Sequence, residues 1–308
     1  MLRRFTDYIL QGRPQAMGVA FVCAFVPIIG SISILIAAFI TLRKGIFEGA
    51  LVTCAATIPY LLGYIGETSA SHASLAVVAL TIVVASNLLT WFFALLLGKY
   101  GNWNVVLEVA ALLGICFVVI VHISYPEIQN WWAAQITSYF NKSTSFFGIL
   151  STESDVPTKE AQAMIVGQVK QYATGLFAAS VLFNVLLQLM IARWWQGVIY
   201  NPGGLRKELY QVRLSFILAL TFVIGLVMAY RGNGLSLDAL PVLYAVFCLA
   251  GLSLMHRLFT SVKMGWLGLL LVYVGLVVRF FPVSAFIVVI GLLDSLANIR
   301  DKVRRLDS

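Results

Sequence analysis

Apolar residues gather along this chain into runs of about 20, the length a helix needs to cross a hydrocarbon layer roughly 30 Å thick. Unbroken runs cover residues 46–65, 74–97, 105–123, 172–192, 214–230 and 240–256. Each predicts a membrane-spanning helix. Two further stretches are interrupted: 16–41 by Pro27 and Gly30, and 266–293 by Arg279 and Pro282. Proline removes a backbone N–H from the helical ladder, so Pro27 and Pro282 are the expected break points. Each stretch then reads as one kinked helix or as two short helices with a turn at membrane depth.

The long connection 124–171 has a different pattern. Ile128, Trp131, Trp132, Ile136, Tyr139 and Phe140 recur near helical spacing, with Glu127, Gln129, Asn130 and Gln135 between them. Two readings stand: an amphipathic helix lying at the outer interface, or an aromatic belt closing a span. Residues 143–159, rich in Ser, Thr, Asp and Glu, predict a loop, and 161–170 a helix leading into the next span. Every other connection is too short for a soluble catalytic domain.

Composition fixes the solvent. The 308 residues are 60% hydrophobic and 11% charged, where an ordinary globular domain is about a quarter charged. We therefore expect an all-α polytopic transmembrane helical bundle of about 8–10 membrane helices, with short broken or re-entrant helices near both ends. The whole chain, 1–308, reads as a single transmembrane domain. It carries an external insertion at 124–171 and a basic cytoplasmic tail at 294–308. Met1–Pro14 is polar and no small-residue cleavage site follows it, so no cleavable signal peptide is expected.

The net charge of +8 suggests topology, not nucleic acid. With two short helices at each end and the N-terminus inside, only Lys142, Lys159, Lys170, Arg231 and Arg279 of the 21 cations fall outside or at the outer face. That bias predicts a bacterial cytoplasmic (inner) membrane protein with both termini cytoplasmic. A single N-terminal span would instead put Arg43 and Lys44 opposite Arg3, Arg4 and Arg13.

Catalytic patterns are missing. Cys23, Cys54, Cys116 and Cys248 lie in apolar runs without metal-ligand spacing, and His72, His122 and His256 are scattered. No nucleophile elbow, P-loop, dinucleotide glycine pattern, zinc-protease helix or DxxD pair occurs. We expect no enzyme, no cofactor and no metal site.

Three groups of residues remain as candidates. Ser180, Asn184 and Gln188 are four apart and share a helix face; Asn87 with Thr90, and Glu108, lie in other spans. Together they are either solute-facing groups around a mid-membrane cavity or hydrogen-bonding glue between helices, worth about 0.6–2 kcal/mol a bond. Around residue 200, a span ends at Arg193 with Trp194 and Trp195 at the interface. Tyr200, Asn201, Pro202, Gly203 and Gly204 then force a turn, flanked by Arg206, Lys207 and Arg213. That block is a cytoplasmic docking or anion site, or a structural turn whose cations anchor it inside. Ala16, Ala20 and Ala24 form a small-residue stripe for helix packing, in the same chain or against another membrane protein.

The segment 40–49 (ITLRKGIFEG), Ala192-Arg193-Trp194-Trp195-Gln196 with Tyr200-Asn201-Pro202-Gly203-Gly204, and Gly291-Leu292-Leu293-Asp294 before the basic tail resemble the YybS-like family of bacterial polytopic membrane proteins. That family is more remotely similar to the substrate-binding components of energy-coupling-factor transporters. The resemblance implies that Ala16, Ala20 and Ala24 meet a coupling subunit. This chain is longer than a typical six-helix component and carries the additional basic block. The expected function is a non-enzymatic small-solute-binding or transporter component. The alternative is a membrane scaffold docking a cytoplasmic partner through residues 200–213. The partners expected are the lipid bilayer and those proteins, with no nucleic acid.

Overall fold

A computed structural model describes residues 2–26, 29–66, 73–147, 159–260 and 264–298. Pro27, His72, Lys263, most of the predicted loop at 148–158, and the tail cations Arg300, Lys302, Arg304 and Arg305 lie outside the described residues. The protein is an all-α polytopic membrane protein, with fourteen helices among those residues. They are α1 (Leu2–Leu10), α2 (Arg13–Ala24), α3 (Gly30–Lys44), α4 (Ile46–Gly66), α5 (Ala73–Tyr100), α6 (Trp103–Ser124), α7 (Ile128–Phe147), α8 (Lys159–Val169), α9 (Ala173–Tyr200), α10 (Gly204–Leu209), α11 (Phe216–Tyr230), α12 (Gly234–Thr260), α13 (Gly265–Val278) and α14 (Phe280–Ala297).

Six of them, in α4, α5, α6, α9, α12 and α14, are long and apolar enough to cross a membrane. The run 214–230 yields only the 15-residue α11, about 22 Å long at 1.5 Å per residue, short of the hydrocarbon thickness. Its place among the full-length spans is taken by α14. Val277 and Phe281 are 86% and 81% exposed, an arrangement that suits lipid and not water.

Both interrupted stretches resolve into pairs of helices. α2 and α3 have 12 and 15 residues and end apart, on either side of Pro27. At the other end the break falls at Arg279 (φ −139°, ψ 66°), not at Pro282. Pro282 occupies the first turn of α14, where its missing N–H would have had no helical partner anyway.

The chain divides into two compact units. The first comprises Met1–Leu107, Val181–Arg213 and Ser253–Leu269; the second comprises Glu108–Ser180, Leu214–Leu252 and Leu270–Ser308. In the first unit α2, α3 and α4 pack on one another, and α5 packs on α3 and α4. Ala16, Ala20 and Ala24 face this core at 2%, 0% and 6% exposure. The alanine stripe is thus used inside the chain, because small side chains let α2 come close to its own neighbours. It is not open to a second membrane protein in this structure. The large apolar residues that the same segment turns outward are Val22, Phe25 and Val26.

Trp195 also departs from the sequence reading. α9 runs on through Arg193 to Tyr200, and Trp195 is 5% exposed in the core, while Trp194 is exposed. The indole stacks on Phe39 at 4.7 Å and on Phe5 at 5.7 Å. Its Nε1–H donates to Thr6 Oγ1 at 2.9 Å. Buried indoles need such an acceptor, and here the acceptor lies on α1. That helix turns Phe5, Thr6 and Ile9 inward and leaves Arg3, Arg4, Asp7 and Tyr8 exposed.

In the second unit α11 packs on α14 and α7 on α8. Phe222 stacks on Phe247 at 5.0 Å, and the Tyr244 hydroxyl lies 2.7 Å from Ser284 Oγ. The described residues of 124–171 form α7 and α8, with Trp131 exposed and Trp132 Nε1–H donating to Thr174 Oγ1 at 3.0 Å.

Candidate site: a polar cluster at mid-span

Helices α4, α5 and α9 each carry polar side chains near the middle of a membrane-length run, and in the first unit some of these meet. On α5, Asn87, Thr90, Ala94 and Leu97 follow helical spacing and are all buried. The polar pair therefore sits on the core stripe, not on the lipid face. Across from it α4 brings Thr53 and Thr57, and α9 brings Asn184 and Gln188.

Two strings of hydrogen bonds run through the cluster. Asn87 Nδ2–H donates to Thr57 Oγ1 at 3.1 Å, and the Thr57 hydroxyl donates to the Thr53 carbonyl at 2.8 Å. In the second string, Thr90 Oγ1 lies 2.9 Å from Gln188 Oε1 and 2.8 Å from the Ser86 carbonyl. Gln188 Nε2–H donates to Asn184 Oδ1 at 2.8 Å. A hydroxyl has one hydrogen, so Thr90 serves one of its two acceptors at a time. When it donates to Gln188, the exposed Asn184 ends the string with free N–H groups. When it donates to Ser86, both carboxamides turn over and Asn184 presents its carbonyl oxygen instead. Either sense satisfies the buried members; only the exposed end changes from donor to acceptor.

Glu108 and Ser180 belong to the second unit. Glu108 Oε1 accepts from the Ser215 N–H at 2.7 Å, while the Ser215 hydroxyl oxygen accepts from the Leu218 N–H. That carboxylate supports the start of α11, where backbone donors lack helical partners. The Ser180 hydroxyl donates to the Phe177 carbonyl of its own helix at 2.7 Å. Thr53 and Thr57, absent from the sequence reading, are common residues on an otherwise apolar helix, and only the fold brings them to Asn87.

The block at 200–213 is held from several sides within the first unit. Gly203 takes φ +79°, the left-handed region open to glycine, and starts α10. Arg193 pairs with Glu208 at 2.5 Å, and Trp103 Nε1–H donates to Glu208 Oε2 at 3.2 Å. The Arg43 guanidinium lies 4.1 Å above the Tyr200 ring. Asn201 places its side chain against Gly204, so a Cβ there would meet it at 2.3 Å. Asn201, Pro202, Gly203, Arg206 and Lys207 are exposed, and Arg206 is held over Tyr210. Arg213 is half-buried, its N–H donating to Asn104 Oδ1 at 2.9 Å. It therefore does not share the outward reach of Arg206 and Lys207. α10 has six residues, too few to focus a helix dipole on an anion.

No family model matches this chain, and no curated protein and no solved structure matches it.

Proposed function

We propose that the protein is a non-enzymatic, small-solute-binding or transporter component of the bacterial cytoplasmic membrane, with both termini cytoplasmic. The remote similarity of the uncharacterised YybS-like family, which the chain resembles, to substrate-binding components of energy-coupling-factor transporters points the same way. The observation that carries the proposal is the Thr90–Gln188–Asn184 string. It is anchored on a buried hydroxyl, crosses from α5 to α9 at mid-span, and ends on an exposed carboxamide. Polar groups near the bilayer midplane mark solute paths in membrane proteins. A string that only glued helices together would have no reason to end exposed. The test is small-molecule mass spectrometry on protein purified from native membrane, comparing wild type with Asn184→Leu. We expect a polar metabolite that co-purifies with wild type and is lost from the variant at unchanged thermal stability. Equal small-molecule content in both would overturn this reading.

A second reading, docking of an acidic cytoplasmic partner, is favoured by the exposed pair Arg206 and Lys207 on the fixed turn. It predicts that the double variant Arg206→Glu, Lys207→Glu inserts normally but loses a partner recovered by cross-linking in whole cells. Unchanged cross-links would leave the block as a structural turn.

A further inference from the structure

Within the second unit lies a titratable pair that the proposed solute site does not use: His122, two residues from the end of α6, and Asp238, in the second turn of α12. We propose that His122 and Asp238 form a binding site for a single proton, taken up between His122 Nε2 and Asp238 Oδ2.

The Asp238 side chain is fully buried. Its Oδ1 accepts from the Gly175 N–H at 2.6 Å, and the Thr174 hydroxyl and backbone also bond to the carboxylate. The Thr174 hydroxyl oxygen in turn accepts from Trp132 Nε1–H. One side of the carboxylate is thus fully supplied by α9, with α7 behind it. The other oxygen, Oδ2, is buried without a hydrogen-bond partner, and so is His122 Nε2. These two unpartnered atoms face each other at 3.7 Å.

The histidine's other nitrogen fixes the proton count. His122 Nδ1 lies 3.1 Å from the Val118 carbonyl, which can only accept, so Nδ1 carries a hydrogen. A neutral imidazole has just one N–H. With the pair unprotonated, Nε2 therefore presents a lone pair to a carboxylate lone pair inside a buried site. Buried acceptors are seldom left in that state. One added proton turns it into a charge-assisted N–H···O bond of about 2.7–2.9 Å. A second would leave both atoms as donors. A bridging water does not fit, because two ordinary bonds through a water need roughly 4.5 Å between the outer atoms.

Among the described residues, His122 is the titratable group that acts on the Asp238 charge. α9 contributes Thr174 and Gly175, α7 contributes Trp132, and none of these carries a charge. The close seating depends on Gly175: a Cβ there would stand 1.6 Å from the Asp238 carbonyl oxygen. Proton uptake would close the 3.7 Å gap and draw the ends of α6 and α12 together, so the site couples proton availability to the seating of helix ends in this unit.

The test uses the full-length chain in lipid nanodiscs. The chain has three histidines, so ¹⁵N-histidine spectra can be assigned with His122→Gln. Infrared difference spectra report a protonated carboxyl. Spectra are recorded between about pH 9 and pH 5, spanning the ordinary imidazole pKa of about 6.5. We expect one proton to enter the pair, seen as a His122 imidazolium or as a carboxylic acid band. The signal should vanish in Asp238→Asn, whose carboxamide N–H supplies the missing hydrogen. Absence of both signals in wild type, or their persistence unchanged in Asp238→Asn, would overturn the proposal. Stability gives a second readout. Where the folded state holds one proton more than the unfolded state, the folding equilibrium constant falls tenfold per pH unit on raising the pH. Asp238→Asn should lack that slope, and equal slopes in the two proteins would also count against the site.

Discussion

In the first unit the polar side chains that meet at mid-span are neutral, and their hydrogen bonds join Asn87 to Thr57 and Thr90 to Gln188 and Asn184. In the second unit the polar centre is an acid and an imidazole, with donors on one side of Asp238 and an unfilled gap on the other. The difference lies in what each arrangement can accept. Hydrogen-bonded neutral carboxamides cost far less to bury than a charge, and reversing them exchanges donor for acceptor without charge. A buried carboxylate is costly unless its partners are complete, so its vacancy is specific for a positive charge as small as a proton. On the reading proposed above, the first arrangement would serve recognition of a polar solute and the second a response to pH.

Four substitutions would break or sharpen this contrast. The largest effect is expected at Asp238→Ala, which strips the partner from buried donors on α9 and leaves His122 without its carboxylate. We expect a loss of about 1–3 kcal/mol for each buried donor left unpaired, measured by reversible unfolding in mixed micelles; a total loss below about 1 kcal/mol would mean that the pair contributes little. Next is Gly175→Ala, whose methyl group would collide with the α12 backbone at Asp238. Forced separation should cost about 1–3 kcal/mol and should weaken the proton response along with stability. If stability falls and the response is unaltered, the helix seating and the proton site are independent.

The neutral cluster should be less sensitive. Gln188→Leu removes the link to Thr90, which keeps its bond to the Ser86 carbonyl, and is expected to cost about 0.6–1.7 kcal/mol by thermal midpoint. Asn184→Leu, at the exposed end, should change stability by less than about 0.5 kcal/mol while abolishing solute retention. A larger stability loss at Asn184 than at Gln188 would invert the order and recast the string as glue.

The helices were legible because lipid demands long apolar runs: α4, α5 and α6 follow those runs within about three residues, while α9 continues past its run to Tyr200 and α12 begins before its run at Gly234. The i, i+4 spacing of Asn184 and Gln188 was also readable, since it is local. Their partner Thr90 lies 98 residues from Gln188, and no local rule selects it over other threonines. Asp238 escapes the sequence pattern because the unbroken apolar run starts at Leu240, which leaves the acid outside the expected span. A signal was present. Asp238 is the only Asp, Glu, Lys or Arg between Arg231 and Arg257, and His122 interrupts an equally apolar stretch. A lone ionisable residue near the end of such a helix merits a search for its counterpart. Trp195 misled for the opposite reason: tandem tryptophans after an arginine have the composition of an interface, but Trp195 is aimed inward and only Trp194 outward.

The bond between Trp195 and Thr6 joins residues 189 positions apart, and that separation has a consequence for biosynthesis. While the ribosome extends the chain, α1 can settle against α2, but the indole that fills its inner face does not yet exist. At about 5–20 residues per second, the wait is roughly 10–40 s. During that interval Phe5 and Thr6 lack their final partner, and the N-terminal helix is open to chaperones and proteases. Nascent chains arrested before residue 195 should therefore expose an N-terminal protease site that longer chains hide, and Trp195→Ala should leave it exposed in the finished protein.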